Sequence, residues 1–154
     1  MRRWVAFLVA TMLWPVATWS QTSNEASMAR ILIAEDEESV RSLVARALTL
    51  DGHDVMTAND GAAALDVLSR SEVAFELLLT DIRMPVMDGI ALALAAARDH
   101  PGLAILLMTG YADQRERASG LDALIHDVIT KPFSLATIRT AVSAALASEP
   151  RGVH

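Results

Sequence analysis

Apolar and polar residues alternate in blocks that predict five strands and five helices along most of the chain. Continuous apolar runs at residues 31–34 and 103–108, and the three leucines 77–79 at the centre of a strand predicted over 75–80, are typical of strands that are buried on both faces of a sheet. Residues 54–58 and 125–130 have weaker apolar patterns and predict two further strands.

The segments between these strands have the spacing of helices that bury one face. In the first helix the apolar positions are Val40, Leu43, Val44, Ala47 and Leu48. Capping residues mark the starts of three other helices, at Asn59-Asp60-Gly61, Asp88 and Ser134. The fourth helix, over residues 112–120, is less apolar. The strict alternation predicts an α/β fold, in which a parallel sheet carries helices on both faces.

The amino-acid composition mainly excludes classes of function and of binding site. Hydrophobic residues make up 53% of the 154 residues, enough for the packed core of one domain. The net charge of −6 disfavours nucleic-acid binding, because phosphate neutralisation needs clustered Lys and Arg. No cysteine is present, which excludes disulfides, thiolate zinc sites and cysteine nucleophiles.

Polar side chains follow the predicted strands at their carboxyl ends, where open parallel sheets form their binding sites. Glu35 and Asp36 follow the first strand, Asp81 the third, Thr109 the fourth and Lys131 the fifth. If the strand order is 2-1-3-4-5, the three carboxylates converge. Because close carboxylates repel one another, a proton or a cation must lie among them. Oxygen donors without a nearby histidine favour Mg²⁺.

The same side chains suit phosphoryl transfer. A carboxylate such as Asp81 can attack phosphorus and form an acyl phosphate. The charge on the transferring oxygens must then be stabilised. Mg²⁺ can serve one oxygen, the Lys131 ammonium a second and the Thr109 hydroxyl a third.

The chain from Met28 to about residue 147 resembles the response-regulator receiver domain of two-component signalling. The resemblance rests on four motifs in order, which are ILIAEDE at 31–37, LLLTDIRMPVMDG at 77–89, LLMTGY at 106–111 and ITKPF at 129–133. It implies a flavodoxin-like (CheY-like) fold with strand order 2-1-3-4-5, as a receiver domain over residues 28–148 with a short tail at 149–154.

Carried over residue by residue, the resemblance implies that Asp81 is the phosphoryl acceptor, Thr109 the switch hydroxyl and Lys131 the phosphate-binding lysine. The implied Mg²⁺ ligands are Glu35, Asp36, Asp81 and the backbone carbonyl of Arg83. The Lys131–Pro132 peptide bond is expected to be cis.

The resemblance also implies a signalling domain rather than an enzyme, with only self-phosphorylation and self-dephosphorylation as its own chemistry. A histidine kinase or histidine phosphotransfer protein would donate the phosphoryl group, and the surface of the fourth helix, fifth strand and fifth helix would bind an output protein. Since few residues follow the last helix, we expect a stand-alone cytoplasmic domain, a monomer or weak dimer, without DNA-binding output.

Some positions depart from the family pattern. Glu35 stands where Asp is commoner, and Val128 stands where many receivers carry a Tyr or Phe that swings inward on activation. Whether Tyr111 replaces that aromatic is left open. The MTGY segment at 108–111 and the valine before Lys131 are similar to the CpdR type of alphaproteobacteria, which regulates the ClpXP protease.

Residues 1–27 differ in composition from the rest. Arg2 and Arg3 precede an apolar run that resembles a secretory signal peptide and is shorter than the roughly 20 residues of a membrane-spanning helix. The segment is an export signal, a membrane tether, or an upstream extension with Met28 as the true start. We favour the extension, because a phosphoryl donor and Mg²⁺ are cytoplasmic supplies.

Two other functions remain as alternatives. A phosphohydrolase would use Asp81 as a nucleophile on a soluble substrate, but such enzymes usually carry a second Asp two residues on, where this chain has Arg83. A pseudo-receiver would bind partners without phosphorylation, although all five site positions are retained.

Overall fold

A computed structural model describes residues 28–148, which form a five-stranded parallel sheet with five helices. The strands are β1 (Arg30–Ala34), β2 (Asp54–Ala58), β3 (Leu77–Asp81), β4 (Ala104–Thr109) and β5 (Asp127–Thr130). The helices are α1 (Glu38–Leu50), α2 (Gly61–Arg70), α3 (Gly89–Asp99), α4 (Ala112–Ala118) and α5 (Leu135–Ala147). A short 3₁₀ turn, Ser119–Leu121, follows α4. The predicted alternation of strands and helices is confirmed.

The strand order is β2-β1-β3-β4-β5, as predicted. The register aligns Ala34 with Thr80 across β1 and β3, and Asp81 with Met108 across β3 and β4. All the carboxyl ends therefore lie at one edge of the sheet. The order reverses between β1 and β3, which makes this edge the expected place for a site.

Two apolar layers hold the helices against the sheet. On one face, Leu32, Leu78 and Leu107 belong to the cluster that includes residues of α2 and α3. On the other face, neighbouring strand residues such as Ile33 and Leu79 belong to the cluster with α1 and α5. Because side chains alternate between two buried faces, the central strands must be apolar at successive positions. The core therefore keeps the strand ends in a fixed register at the site edge.

Side-chain caps begin three of the helices where the sequence predicts them. Asp60 accepts a hydrogen bond from the Ala63 amide at 2.7 Å, and Asp88 accepts one from Ala91 at 2.8 Å. Ser134 accepts from the Thr137 amide at 3.1 Å. Each cap satisfies a backbone donor that the first helical turn leaves unpaired.

The buried face of α1 is narrower than the sequence predicts. Val44, Ala47 and Leu48 are buried, whereas Leu43 is 52% exposed. Leu43 precedes Val44 by one residue, which is about 100° around a helix, so it points beside the sheet rather than at it. It lines the edge of the cleft described below.

The segment at 1–27, with its predicted signal-like run, and the tail at 149–154 lie outside the described residues. Among residues 28–148, none of the helices combines the length and the apolar composition that crossing a bilayer requires.

Candidate functional site

Three carboxylates meet where β1 and β3 end. Because Ala34 pairs with Thr80, the next residues, Glu35 and Asp81, lie side by side at the carboxyl ends of β1 and β3. Oxygens of Glu35, Asp36 and Asp81 lie within 4.8 Å of one another. Glu35 and Asp81 are buried and Asp36 is exposed. The structure therefore brings together the three acids that the strand order predicts.

Lys131 approaches this cluster from the end of β5 and is the single lysine of the chain. Its ammonium donates a 2.8 Å hydrogen bond to Oε2 of Glu35 and lies 3.4 Å from Oδ2 of Asp81. The Lys131 amide donates to the Thr109 carbonyl at 2.7 Å, which fixes the backbone from which the side chain extends. The peptide bond to Pro132 is cis, as expected.

The charges of the cluster shift its pKa values. Burial raises the pKa of Asp81, and the nearby Asp36 charge adds to this, outweighing the effect of Lys131. Burial likewise raises the pKa of Glu35, with a contribution from Asp81, although its hydrogen bond with Lys131 acts in the opposite direction. Burial lowers the pKa of Lys131, but its bond to Glu35 and the charge of Asp81 raise it more, and its pKa lies above the ordinary value. The cluster therefore carries more negative charge than one ammonium balances.

The donor atoms of this cluster fit a hard divalent cation. Each of the three acids offers a carboxylate oxygen, the ligand type that Mg²⁺ prefers. Glu35 uses Oε1 to accept from the Glu37 amide at 3.1 Å and Oε2 to accept from Lys131. Asp36 and Asp81 are therefore the carboxylates most open to direct coordination.

Thr109 is buried at the end of β4, and its hydroxyl is engaged with the start of α4. The hydroxyl lies 3.0 Å from Oε1 of Gln114 and 3.1 Å from the carbonyl of Tyr111, and it accepts from the Tyr111 amide at 3.2 Å. Gln114 is a buried polar residue that sequence reasoning missed. Gln114 and Ala118 are one helical turn apart and are the buried positions of α4, but this spacing shows only that they share a side of the helix, not that the side faces inward.

Arg83 and Tyr111 lie at the mouth of the site. The Arg83 guanidinium lies 5.4 Å from the centre of the Tyr111 ring, a cation–π arrangement. The Tyr111 side chain is 56% exposed, so its ring lies at the surface. Val128 is half-buried and packs against the core cluster on the face of α2 and α3. Substitution of the missing aromatic by Tyr111 stays an open prediction.

An open cleft of about 890 Å³ gives access to the carboxylates. Its lining combines the charged cluster with apolar side chains of α1 and of the segment after β5. The lining residues are Glu35, Asp36, Glu37, Val40, Leu43, Asp81, Arg83, Gly110, Tyr111, Gln114, Lys131, Pro132 and Phe133. The cleft is large enough for a phosphoryl group presented by another protein.

Gly89 allows the start of α3 to lie directly against the end of β3. A Cβ atom at this position would collide with the backbone carbonyl of Asp81. The Gly89 amide also donates to the Ile82 carbonyl at 2.8 Å. The backbone that carries Asp81 is therefore held in place by α3, and the absence of a side chain at Gly89 is a condition for that contact.

Comparisons with known proteins agree on one family. The family model for the response regulator receiver domain matches residues 31–143. The chain is 34% identical over 117 residues to the response regulator MprA of Mycobacterium leprae (strain TN), covering 76% of this chain and 50% of that protein. It is 37% identical over 118 residues to the regulatory protein AtoC of Escherichia coli (strain K12), covering 76% of this chain and 25% of AtoC. The chain therefore spans half or less of the length of these relatives.

Solved structures have the same architecture. The response regulator protein TrrA from Thermotoga maritima, in complex with Mg²⁺ and BeF, has a TM-score of 0.69 at 27% identity, covering 77% of this chain and 100% of that one. A CheY-like receiver domain protein from Methanospirillum hungatei JF-1 has a TM-score of 0.71 at 28% identity, covering 78% and 94%. The sheet order, the four motifs and the family match agree, and this chain belongs to the response regulator receiver domain family of two-component signalling.

Proposed function

We propose that Asp81 of this receiver domain accepts a phosphoryl group from a histidine kinase or a histidine phosphotransfer protein, and that the modified domain binds an output protein. The observation that carries the proposal is the position of Asp81, within 4.8 Å of two further carboxylates and 3.4 Å from the only lysine. A buried carboxylate with this set of neighbours is suited to form and hold an acyl phosphate.

The transfer forms one bond and breaks one. An Asp81 carboxylate oxygen bonds to phosphorus as the phosphorus–nitrogen bond of the donor phosphohistidine breaks, and the imidazole leaves with that electron pair. Glu35, Asp36, Asp81 and the Arg83 carbonyl would hold Mg²⁺, which would supply positive charge to the transferring oxygens. Hydrolysis later returns Asp81 to its carboxylate form and releases inorganic phosphate.

Lys131 supplies a second positive charge from the chain itself. In the unmodified protein its ammonium donates to Glu35. A phosphoryl group on Asp81 would add anionic oxygens beside an ammonium already 3.4 Å from that carboxylate. An ammonium has three donors, so Lys131 can bond a phosphoryl oxygen and retain Glu35.

The output is binding rather than catalysis in this proposal. The surface formed by α4, β5 and α5 is the candidate for the output protein, by analogy with the family. Control of regulated proteolysis through ClpXP is the specific candidate, supported by the MTGY segment and by Val128 before the lysine motif. We further propose that the domain acts in the cytoplasm, where phosphoryl donors and Mg²⁺ are available, as a monomer or a weak dimer.

The decisive experiment is an intact-mass measurement after incubation with acetyl phosphate and Mg²⁺. One phosphoryl group is expected on the wild-type chain and on Asp66→Asn, whose carboxylate is exposed on α2. Asp81→Asn is expected to gain none. Labelling that persists in Asp81→Asn contradicts the assignment.

The two alternatives give different results in the same preparation. Repeated turnover of a phosphate monoester would favour a phosphohydrolase, against which the presence of Arg83 two residues after Asp81 already counts. Absence of labelling in a folded wild-type chain with acetyl phosphate, together with retained partner binding, would favour a pseudo-receiver.

A further inference from the structure

The turn between β1 and α1 carries two of the three clustered acids, and a side chain of α1 holds its backbone. Arg41, the fourth residue of α1, is half-buried. Its guanidinium donates a 2.8 Å hydrogen bond to the carbonyl of Glu35 and, from the same nitrogen, a longer one of 3.4 Å to the carbonyl of Asp36. One side chain therefore ties the helix to the two residues that follow the strand.

The start of α1 lacks the side-chain cap that α2, α3 and α5 have. Glu37 precedes the helix, and its side chain accepts no capping bond from the first turn. The turn is held by other contacts, in which the Glu35 amide donates to the Ala58 carbonyl at 3.1 Å and the Glu37 amide donates to the Glu35 carboxylate at 3.1 Å. Within residues 28–148, the guanidinium of Arg41 is the described side-chain donor that reaches the peptide group of Asp36.

We propose that Arg41 is a positioning residue for the metal site, whose guanidinium fixes the turn between β1 and α1 so that the Asp36 carboxylate lies beside the other two acids before Mg²⁺ binds. The inference rests on the proposed function, because it requires Mg²⁺ at this cluster. It adds a residue that belongs to none of the four sequence motifs.

The direction of the Asp36 carboxylate depends on the backbone more than that of the other two acids. Glu35 and Asp81 are buried, and the Lys131 ammonium lies close to both of their carboxylates. Asp36 is exposed, and the contacts described for Lys131 do not include it. Ordering an exposed side chain costs conformational entropy when a ligand binds. A turn that is already fixed by Arg41 reduces this cost.

Arg41 holds the turn without occupying the metal-binding oxygens. Its side-chain bonds described here both go to carbonyl oxygens, whereas Lys131 donates to a carboxylate oxygen of Glu35. A positive charge near a cation site opposes cation binding. Charge alone therefore predicts that removing the guanidinium strengthens Mg²⁺ binding, and positioning predicts that it weakens binding. The sign of the change distinguishes the two effects.

The test is an Mg²⁺ titration of the full chain, followed by the NMR shifts of backbone amides, which reports the affinity of the folded state separately from its stability. Arg41→Met is expected to bind Mg²⁺ about threefold to tenfold more weakly than wild type, the equivalent of one hydrogen bond. Arg46→Met is the matched control, because Arg46 is exposed on the same helix and its replacement removes the same charge. Its Mg²⁺ affinity should equal that of wild type or be slightly higher.

Two further comparisons isolate the geometry. Arg41→Lys keeps the charge but loses the planar guanidinium, so it should bind Mg²⁺ more weakly than wild type, whereas Arg46→Lys should bind equally well. In an Asp36→Asn background, Arg41→Met should weaken Mg²⁺ binding less than it does in the wild-type chain, because its effect passes through Asp36. Such non-additivity identifies coupling between the two residues.

The outcomes separate this inference from the proposed function. Unchanged or tighter Mg²⁺ binding by Arg41→Met overturns the inference, as does an effect of equal size with and without the Asp36 carboxylate. If acetyl phosphate still labels Asp81 in the wild-type chain, the proposed function stands in either case. If the wild-type chain neither binds Mg²⁺ nor is labelled, both fail. Should Arg41→Met not fold, the comparison of Arg41→Lys with Arg46→Lys decides, and equal affinities in that pair overturn the inference.

Discussion

The ammonium of Lys131, at the end of β5, donates a 2.8 Å hydrogen bond to the carboxylate of Glu35, at the end of β1. These strands are not neighbours, because β3 and β4 lie between them in the sheet. The side chain of Lys131 therefore crosses the ends of both intervening strands, and Asp81, at the end of β3, lies along its path at 3.4 Å.

Removing this ammonium should destabilise the fold at neutral pH. Lys131→Met keeps most of the aliphatic stem but leaves Glu35 buried without its cationic donor. We expect the free energy of unfolding to fall by about 1–3 kcal/mol, the cost of leaving a buried acceptor without its partner. Urea unfolding in the presence of EDTA measures this. Glu35→Gln combined with Lys131→Met should restore part of the loss, and equal stability of Lys131→Met and wild type would contradict the prediction.

Mg²⁺ should stabilise the protein, and more strongly at neutral than at acidic pH. The pKa values of Asp81 and Glu35 are raised above 3.8 and 4.5 respectively. The metal-free folded state therefore holds these protons more tightly than the unfolded state, and stability is lost as pH rises through the raised pKa values. Mg²⁺ binds the deprotonated form of these carboxylates. At a concentration 100 times its dissociation constant it should raise the free energy of unfolding by about 2.7 kcal/mol.

Thermal unfolding with EDTA or Mg²⁺ at several pH values checks this dependence. In EDTA, the melting temperature should fall as pH rises above the ordinary carboxylate range. Asp36→Asn should weaken the effect of Mg²⁺, whereas Asp66→Asn, far from the site on α2, should leave it intact. An effect of Mg²⁺ that is the same in Asp36→Asn and wild type would count against coordination by this cluster.

Gly89→Ala should disturb the site by displacing the backbone of Asp81. The added Cβ meets the backbone carbonyl of Asp81, which cannot move without shifting the end of β3. We expect a loss of about 1–3 kcal/mol from overpacking, and weaker Mg²⁺ binding. Gly102→Ala is the matched control, because nothing lies near its added Cβ. If Gly89→Ala and Gly102→Ala have the same free energy of unfolding and the same Mg²⁺ affinity, the close approach of Gly89 to the Asp81 backbone contributes neither to stability nor to metal binding.

Asp88→Ala should affect two helices. Asp88 caps α3 through the Ala91 amide and pairs with Arg117 of α4 at 3.1 Å. Loss of the cap costs about 0.5–2 kcal/mol. Asp60→Ala removes the equivalent cap of α2, which the described contacts do not connect to α4. Faster hydrogen exchange at α4 in Asp88→Ala than in Asp60→Ala is the expected result, and equal exchange would contradict it.

The contribution of Asp88 to stability should also depend on pH. Partial burial raises the pKa of Asp88, but the bonds from the Ala91 amide and Arg117 lower it more, to below its ordinary 3.8. This stability is therefore present above the unfolded pKa and is lost as pH falls through the folded pKa. The difference in urea unfolding between wild type and Asp88→Ala should shrink in strong acid.

Local features of the chain were sufficient for much of the fold. The bounds of β2 were predicted as observed, since Asp54–Ala58 lies between Gly52 and Asn59. The caps at Asp60, Asp88 and Ser134 were predictable because a short polar side chain can accept from an amide three residues on. Leu43 was assigned wrongly to the buried face of α1, because helical spacing alone does not give the width of the contact with the sheet.

The chemical groups at the strand ends were also evident from the chain, because periodicity, helix caps and the residue after each strand are properties of short segments. Three-dimensional packing was needed to establish which of these groups pair. Lys131 and Glu35 are 96 positions apart, and their contact depends on the order of the strands between them. Gln114 pairs with Thr109 because the docking of α4 turns one side of that helix inward, and side-chain direction across a loop is not encoded in residue spacing.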